Sequence, residues 1–223
     1  MAVTTVGQDI YNGALAKSSK NEPGNFSVAE IILRINNRLN GLYEVAARVN
    51  AIFFAETATE AETAGVWSRP EEALSVIKIQ DATVADVVIL PHDDQQAEPS
   101  KLSVYEFGQE FFAITNLTGT PSGNLTFWYA RRPTAVANLS PATLDAQWRE
   151  DFNELLILEL AIELSAKDGR TAEVGTLKED RNGWLARYVS FLQHSTSGER
   201  RRFGHRKIIN INDLLPLLAG GAG

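Results

Sequence analysis

The sequence predicts an α+β fold: a helical bundle, made from a long N-terminal helix and a C-terminal helix pair, that carries an inserted antiparallel β domain and ends in an extended C-terminal arm. Three observations predict it. Apolar residues recur at helical spacing from Val28 to Phe53. From about 65 to 136 the pattern changes to short runs rich in β-branched and aromatic residues. From Leu144 the helical spacing returns and holds to Phe191. The expected divisions are 1–62 for the N-terminal helical part, 63–138 for the β domain, 139–197 for the helix pair and 198–223 for the arm.

Taken in order, residues 4–17 form a short first helix, closed by the polar loop KSSKNEPGN. The long helix follows. Val28, Ile31, Ile32, Ile35, Leu39, Leu42, Ala46, Val49, Ile52 and Phe53 fall on one broad stripe. Ser27 and Glu30 have capping-box spacing, which satisfies N–H groups that the first turn leaves without partners. Phe26, just ahead of them, suits a hydrophobic staple, and Gly41 weakens the helix without breaking it.

The β runs are LSVIKIQ, VADVVILP, KLSVYEFG, EFFAITNL and LTFWYARRP, separated by Gly, Pro, Asn and Asp. GTPSGN reads as a hairpin turn between the last two. The aromatic residues serve most simply as the core of the sheet; a face left exposed would be an interaction surface. Ser140-Pro141 suits the start of the next helix, whose stripe includes Trp148, Phe152, Leu155, Leu156 and Ile162. Asp168-Gly169 stops it. A second helix runs through Val174, Leu177, Trp184, Leu185, Tyr188 and Phe191, and so short a turn predicts antiparallel packing.

At 223 residues, 44% hydrophobic and 22% charged, the chain has the make-up of a globular protein. There is no cysteine, which excludes disulfides, zinc–thiolate sites and thiol catalysis. No basic start followed by an apolar run precedes the first helix, so no secretory signal is expected, and no apolar stretch is long enough for a membrane span. The net charge is −7, yet the segment from Gly198 holds five basic residues against Glu199 and Asp213. It is therefore near +3 and the rest near −10. An acidic body does not favour broad DNA binding.

No constellation of catalytic type emerges. His92, His194 and His205 are scattered, and PHDD at 91–94 has too few ligands for a metal site and reads as a polar turn. Nucleophile-elbow, Walker and dinucleotide-binding motifs are absent. Asp93/Asp94 and Glu71/Glu72 read as solvated surface. No catalytic residue, cofactor or metal ligand is expected.

The basic cluster is different in kind. Arg200, Arg201, Arg202, Arg206 and Lys207 surround Phe203. They suit either nucleic acid, with Phe203 stacking on a base, or an acidic protein surface. Ile209 and Ile211 then alternate with Asn210 and Asn212, a pattern that can add a strand to a sheet. Leu214, Leu215 and Leu217 offer an apolar anchor. The bland alternative is a tail that folds back on its own domain.

The segment ELAIELSAKDGRTAEVGTLKEDRNGWLARYVSFL resembles the paired helices of head-to-tail adaptor proteins of tailed bacteriophages, also called connector or head-completion proteins. The likeness lies in the Asp-Gly turn, the charged middle of the second helix and the aromatic pair Trp184 and Tyr188. TTVGQDIYNGALAKSSKNEPGNFSVAEIILRINNRLNGLYEVA resembles the start of such proteins. Together these segments cover about half the chain; the β block is larger than in compact members. The resemblance implies a structural role rather than catalysis. The chain would form a ring, usually dodecameric, under the portal protein in the virion neck, after assembly in the host cytoplasm. The ring would extend the channel through which DNA passes and carry the surface for a tail or tail-completion protein. Residues 198–223 would be the segment that reaches the portal or a neighbouring subunit. A tail or baseplate binding module, using the β block for recognition, is the alternative.

Overall fold

The computed structural model describes residues 5–18, 26–90, 100–115, 117 and 119–195. The chain divides into two compact units, one formed by Met1–Asn50 with Pro133–Gly223 and the other by Ala51–Arg132. The expected C-terminal arm lies outside the described residues.

The first unit is helical, with α1 (Gly7–Lys17), α2 (Val28–Asn50), α3 (Asn153–Lys167) and α4 (Thr171–His194). The start of α2 is fixed as its sequence predicts. Glu30 accepts hydrogen bonds from the Ser27 backbone N–H at 2.8 Å and hydroxyl at 3.1 Å, and the Glu30 N–H donates back to the Ser27 hydroxyl at 3.2 Å. Phe26 is buried beneath two cations, with Lys167 Nζ 3.7 Å and the Arg34 guanidinium 4.6 Å from its ring centre. The buried stripe of α2 runs Ile31, Ile35, Leu39, Leu42, Ala46 and Asn50. The Asn50 amide donates to the Leu192 carbonyl near the end of α4 at 2.9 Å.

Helix α3 is the centre of this unit and packs against α1, α2 and α4. Its buried residues Leu155, Leu156, Leu158, Leu160, Ala161 and Leu164 surround the helix on most sides, as a central helix requires. Gly13 allows α1 its close approach, since a Cβ there would meet Ile157 Cδ1 at 2.8 Å. Gly169, at φ 72°, turns the chain from α3 into α4. The two helices are antiparallel: Glu159 and Arg181, on opposite sides of that turn, meet at 2.8 Å.

The helix expected from Ser140 starts later. The Ser140–Pro141 peptide is cis, and residues 133–149 run irregularly to a 3₁₀ turn at Glu150–Phe152. Asp145, which is buried, organises this stretch. Its carboxylate accepts hydrogen bonds from the Tyr43 hydroxyl at 2.9 Å and from the backbone N–H groups of Thr134 and Gln147 at 2.6 and 2.8 Å. Backbone groups bound to a side chain do not need helical partners. Trp148 and Phe152 then join Tyr43, Tyr188 and Phe191 in one aromatic row.

The second unit is a seven-stranded sheet: β1 (Ala55–Glu60), β2 (Val66–Ser68), β3 (Ala73–Gln80), β4 (Asp86–Leu90), β5 (Ser103–Phe107), β6 (Glu110–Ile114) and β7 (Leu125–Arg131), in the order β1-β7-β3-β4-β5-β6-β2. One face carries Trp67, Ile79, Val87, Val104, Phe111, Leu125, Phe127 and Tyr129. Phe111 on β6 and Phe127 on β7 are far apart in strand order, yet their rings lie 5.1 Å apart. The sheet therefore curls over its own apolar face. Trp67, fully buried, donates its indole N–H to the Gly123 carbonyl at 2.8 Å.

These findings correct the expected fold class. Among the described residues the chain is a mixed fold of four helices and a curled seven-stranded sheet, with helix in only 44% of those residues, and not a helical bundle with a small inserted β domain. Nor is the sheet purely antiparallel, because β4 and β5 pair in parallel. GTPSGN is not a hairpin turn: β6 and β7 are not neighbours, so it is a crossing connection. The physical reason lies in two strands beyond the five expected. β1 (AETATE) is rich in Ala and Glu, which strands disfavour, and β2 (VWS) is only three residues long; each is held by one partner, β7 or β6.

Candidate docking surfaces

The docking residues expected between Arg200 and Leu217 lie outside the described residues, as do His92, Asp93, Asp94 and His205. Of the histidines only His194 is described. It is exposed at the end of α4, with Nδ1 2.6 Å from the Ser190 carbonyl oxygen. Among the described residues no group of three His, Cys, Asp or Glu side chains could hold a metal ion.

The most charged interior lies in the helical unit. Arg34 and Arg38 from α2 meet Glu163 of α3; the Arg38 Nε contact to Glu163 is 2.6 Å, and Arg34 ion-pairs with the same carboxylate. Glu159, nearly buried, takes Arg181 of α4 at 2.8 Å and faces Arg38 Nε at 3.8 Å. Burial lowers the Arg38 pKa first, Glu159 opposes the shift, and Arg181 and Arg34 add to it. Three guanidinium groups thus enclose two carboxylates. The cluster ties three helices together, and both carboxylates are committed to arginine.

The remaining half of α4 carries a different surface. Trp184, Arg187, Phe191 and His194 follow one another at helical spacing, with the Arg187 guanidinium 4.9 Å from the Trp184 ring centre and Arg149 4.8 Å from that of Phe191. From Asn182 to His194 there is no acidic residue. Ala186, Arg187, Ser190, Phe191 and His194 line a shallow, open depression.

The acidity of the protein sits elsewhere. Residues 51–132 hold twelve acidic and five basic side chains, a net charge of −7, while the helical unit with its C-terminal segment sums to zero. Counting by unit would have found this in the sequence. Within the sheet, the carboxylates crowd the β1 side. Tyr129 on β7 has its pKa raised by burial first, then by Glu56, Glu72 and Glu60, against the opposing Arg131. Arg131, buried, pairs with Glu56 at 2.9 Å.

Strand β1 is one of the two edges of this sheet. Its register with β7 sets Ala55 opposite Ala130 and Glu60 opposite Leu125. The Arg131 N–H donates to the Phe54 carbonyl at 3.1 Å, so the residues that exchange hydrogen bonds with β7 are Phe54, Glu56, Ala58 and Glu60. The backbone groups of Thr57 and Thr59 therefore point away from β7, to the open edge. Both threonines are exposed. On the same face as these threonines, away from the apolar core, Trp128, 39% exposed, sits opposite Thr57 and Lys78, with Lys78 Nζ 4.8 Å from its ring centre. Phe107 is 59% exposed.

No family model matches the chain, and no curated protein is significantly similar to it. No helix among the described residues is long and apolar enough to cross a membrane.

Proposed function

We propose that the chain is a structural subunit of the neck of a tailed-bacteriophage virion. In this reading copies of it form a ring, dodecameric as in head-to-tail adaptors, between the portal and the tail. The ring extends the DNA channel and offers the surface to which a tail or tail-completion protein attaches. The observation that carries the reading is the helix pair α3–α4: the segment that resembles the adaptors is a tight antiparallel hairpin, turned at Asp168-Gly169 and tied by Glu159 and Arg181. The acidic sheet unit supports it too, because a channel component must not hold DNA.

The test is light scattering on the protein after size exclusion, alone and mixed with candidate portal proteins. Ring-sized assemblies, or a stoichiometric complex with a portal, are expected; a monomer under every condition would end the proposal. A second reading is favoured by the exposed Trp128 and Phe107. There the chain is a tail or baseplate component whose sheet recognises a surface. Loss of host-cell or glycan binding in a full-length Trp128→Ala variant, with assembly unchanged, would favour it.

A further inference from the structure

We propose that the open edge of β1 is an acceptor site for a β-strand, and that its occupant is the segment Lys207–Asn212 of a second copy of this chain. The trans form rests on the self-assembly proposed above; the acceptor site itself does not.

The edge is built for pairing. β1 offers the outward N–H and C=O groups of Thr57 and Thr59, and among the described residues no strand lies on that side. Open edges are a hazard that proteins block with lysine, proline, bulges, inward-pointing charges or a covering element. AETATE contains neither lysine nor proline, its register with β7 is unbroken, and of its two core-face charges Glu56 is neutralised by Arg131, which leaves Glu60 for an incoming cation. The side chains beside the edge are anionic: Glu56, Glu60 and, close by, Glu62 and Glu72. The occupant should therefore be an extended, cationic segment that alternates apolar and polar residues.

One segment of this chain fits that description. Five basic residues between Arg200 and Lys207 precede Ile208, after which Ile209 and Ile211 alternate with Asn210 and Asn212. The pattern fixes a register. Glu56, Ala58 and Glu60 lie on the core face of β1, since they stand opposite Tyr129, Phe127 and Leu125. Glu56 is already held by Arg131, so the incoming lysine belongs beside Glu60. An antiparallel strand with Lys207 opposite Glu60 sets Ile209 opposite the small, partly buried Ala58 and extends the apolar row beyond Phe127. It also sets Asn210 opposite Thr57 and Ile208 opposite Thr59, on the polar face, and Ile211 opposite Glu56. A donor that follows α4 and an acceptor in the sheet unit make a head-to-tail contact, of the kind that closes into rings.

The absence of cysteine makes the test direct. Full-length Thr57→Cys and Asn210→Cys proteins are mixed and mildly oxidised. The expected result is a disulfide between the two variants that forms about tenfold faster than with Ser68→Cys, on the opposite edge, in place of Thr57→Cys. Added salt should slow it. Equal rates with both edges would overturn the acceptor site. A bond that forms only inside one chain, in a Thr57→Cys/Asn210→Cys double variant, would overturn the trans form. Light scattering on the unsubstituted protein separates the two ideas: rings without the cross-link remove this proposal and leave the neck reading standing.

Discussion

Glu159 and Glu30 show how differently one carboxylate can act in two settings. Glu159 is buried between Arg38 and Arg181. Replacing it by Gln leaves two guanidinium groups facing each other in a dry site, and we expect a loss of roughly 3 kcal/mol, read as a lower urea midpoint. Glu30 is only partly exposed and works through its hydrogen bonds. The Ser27 N–H and hydroxyl, aided by Lys167 and Arg34, hold its pKa below the usual carboxylate range. A depressed carboxylate stabilises the fold above its unfolded pKa, and that contribution is lost as pH falls through the folded one. Ser27→Ala should cost about 1 kcal/mol at pH 7. It should also flatten the loss of stability between neutral pH and pH 3, measured by urea unfolding of both proteins. Tyr188 gives a cleaner contrast. Its phenol is fully buried, which pushes its pKa up, and its hydroxyl has only a long 3.4 Å bond to the Leu42 carbonyl. Tyr188→Phe should be nearly neutral, while Tyr188→Ala removes a ring from the aromatic row and should cost about 3–5 kcal/mol.

At the scale of elements, helices were far easier to read than strands. The stripe from Ile31 to Ala46 and the Ser27–Glu30 cap state α2 in the sequence itself, and Asp168-Gly169 marks where α3 gives way to α4. Each signal is local. What local signals could not carry is the fold class. β1 is written in alanine, threonine and glutamate, residues that follow a helix as comfortably as a strand, and it becomes a strand because β7 supplies its partner some seventy positions later. The parallel pairing of β4 with β5 and the crossing route of GTPSGN are likewise decided by long-range partners. The proposed strand site divides the same way: the basic run from Arg200 to Lys207 is plain in the sequence, while the open edge is hidden in β1. Gly13 offers a test of element packing. Gly13→Ala gains helix propensity but drives a methyl into Ile157, so the single variant should unfold at or below the parent temperature. Combined with Ile157→Val, which trims the obstructing group, it should recover by about 1 kcal/mol in thermal unfolding.

For the whole molecule, the uneven charge matters more than its total. Seven excess negative charges sit in residues 51–132 and repel one another. Salt should therefore protect the sheet unit more than the helical one, which hydrogen exchange of the sheet amides at low and high sodium chloride would show. The opposite order, with sheet amides less protected in salt, would mean that pairs such as Arg131–Glu56 outweigh the repulsion.

The insertion of one unit within the other also sets an order of birth. The sheet unit is complete once Arg132 has left the ribosome, whereas α1 and α2 were made earlier and α3, their central partner, comes later. Domains fold as units during synthesis. The apolar stripe from Ile31 to Ala46 must therefore wait, uncovered, while the sheet forms between it and its partner. A ribosome stalled far enough past Arg132 for β7 to have cleared the exit tunnel, with α3 still inside it, would hold a protease-resistant sheet flanked by a protease-sensitive α2. That interval is when this chain is most exposed to aggregation and most in need of a chaperone.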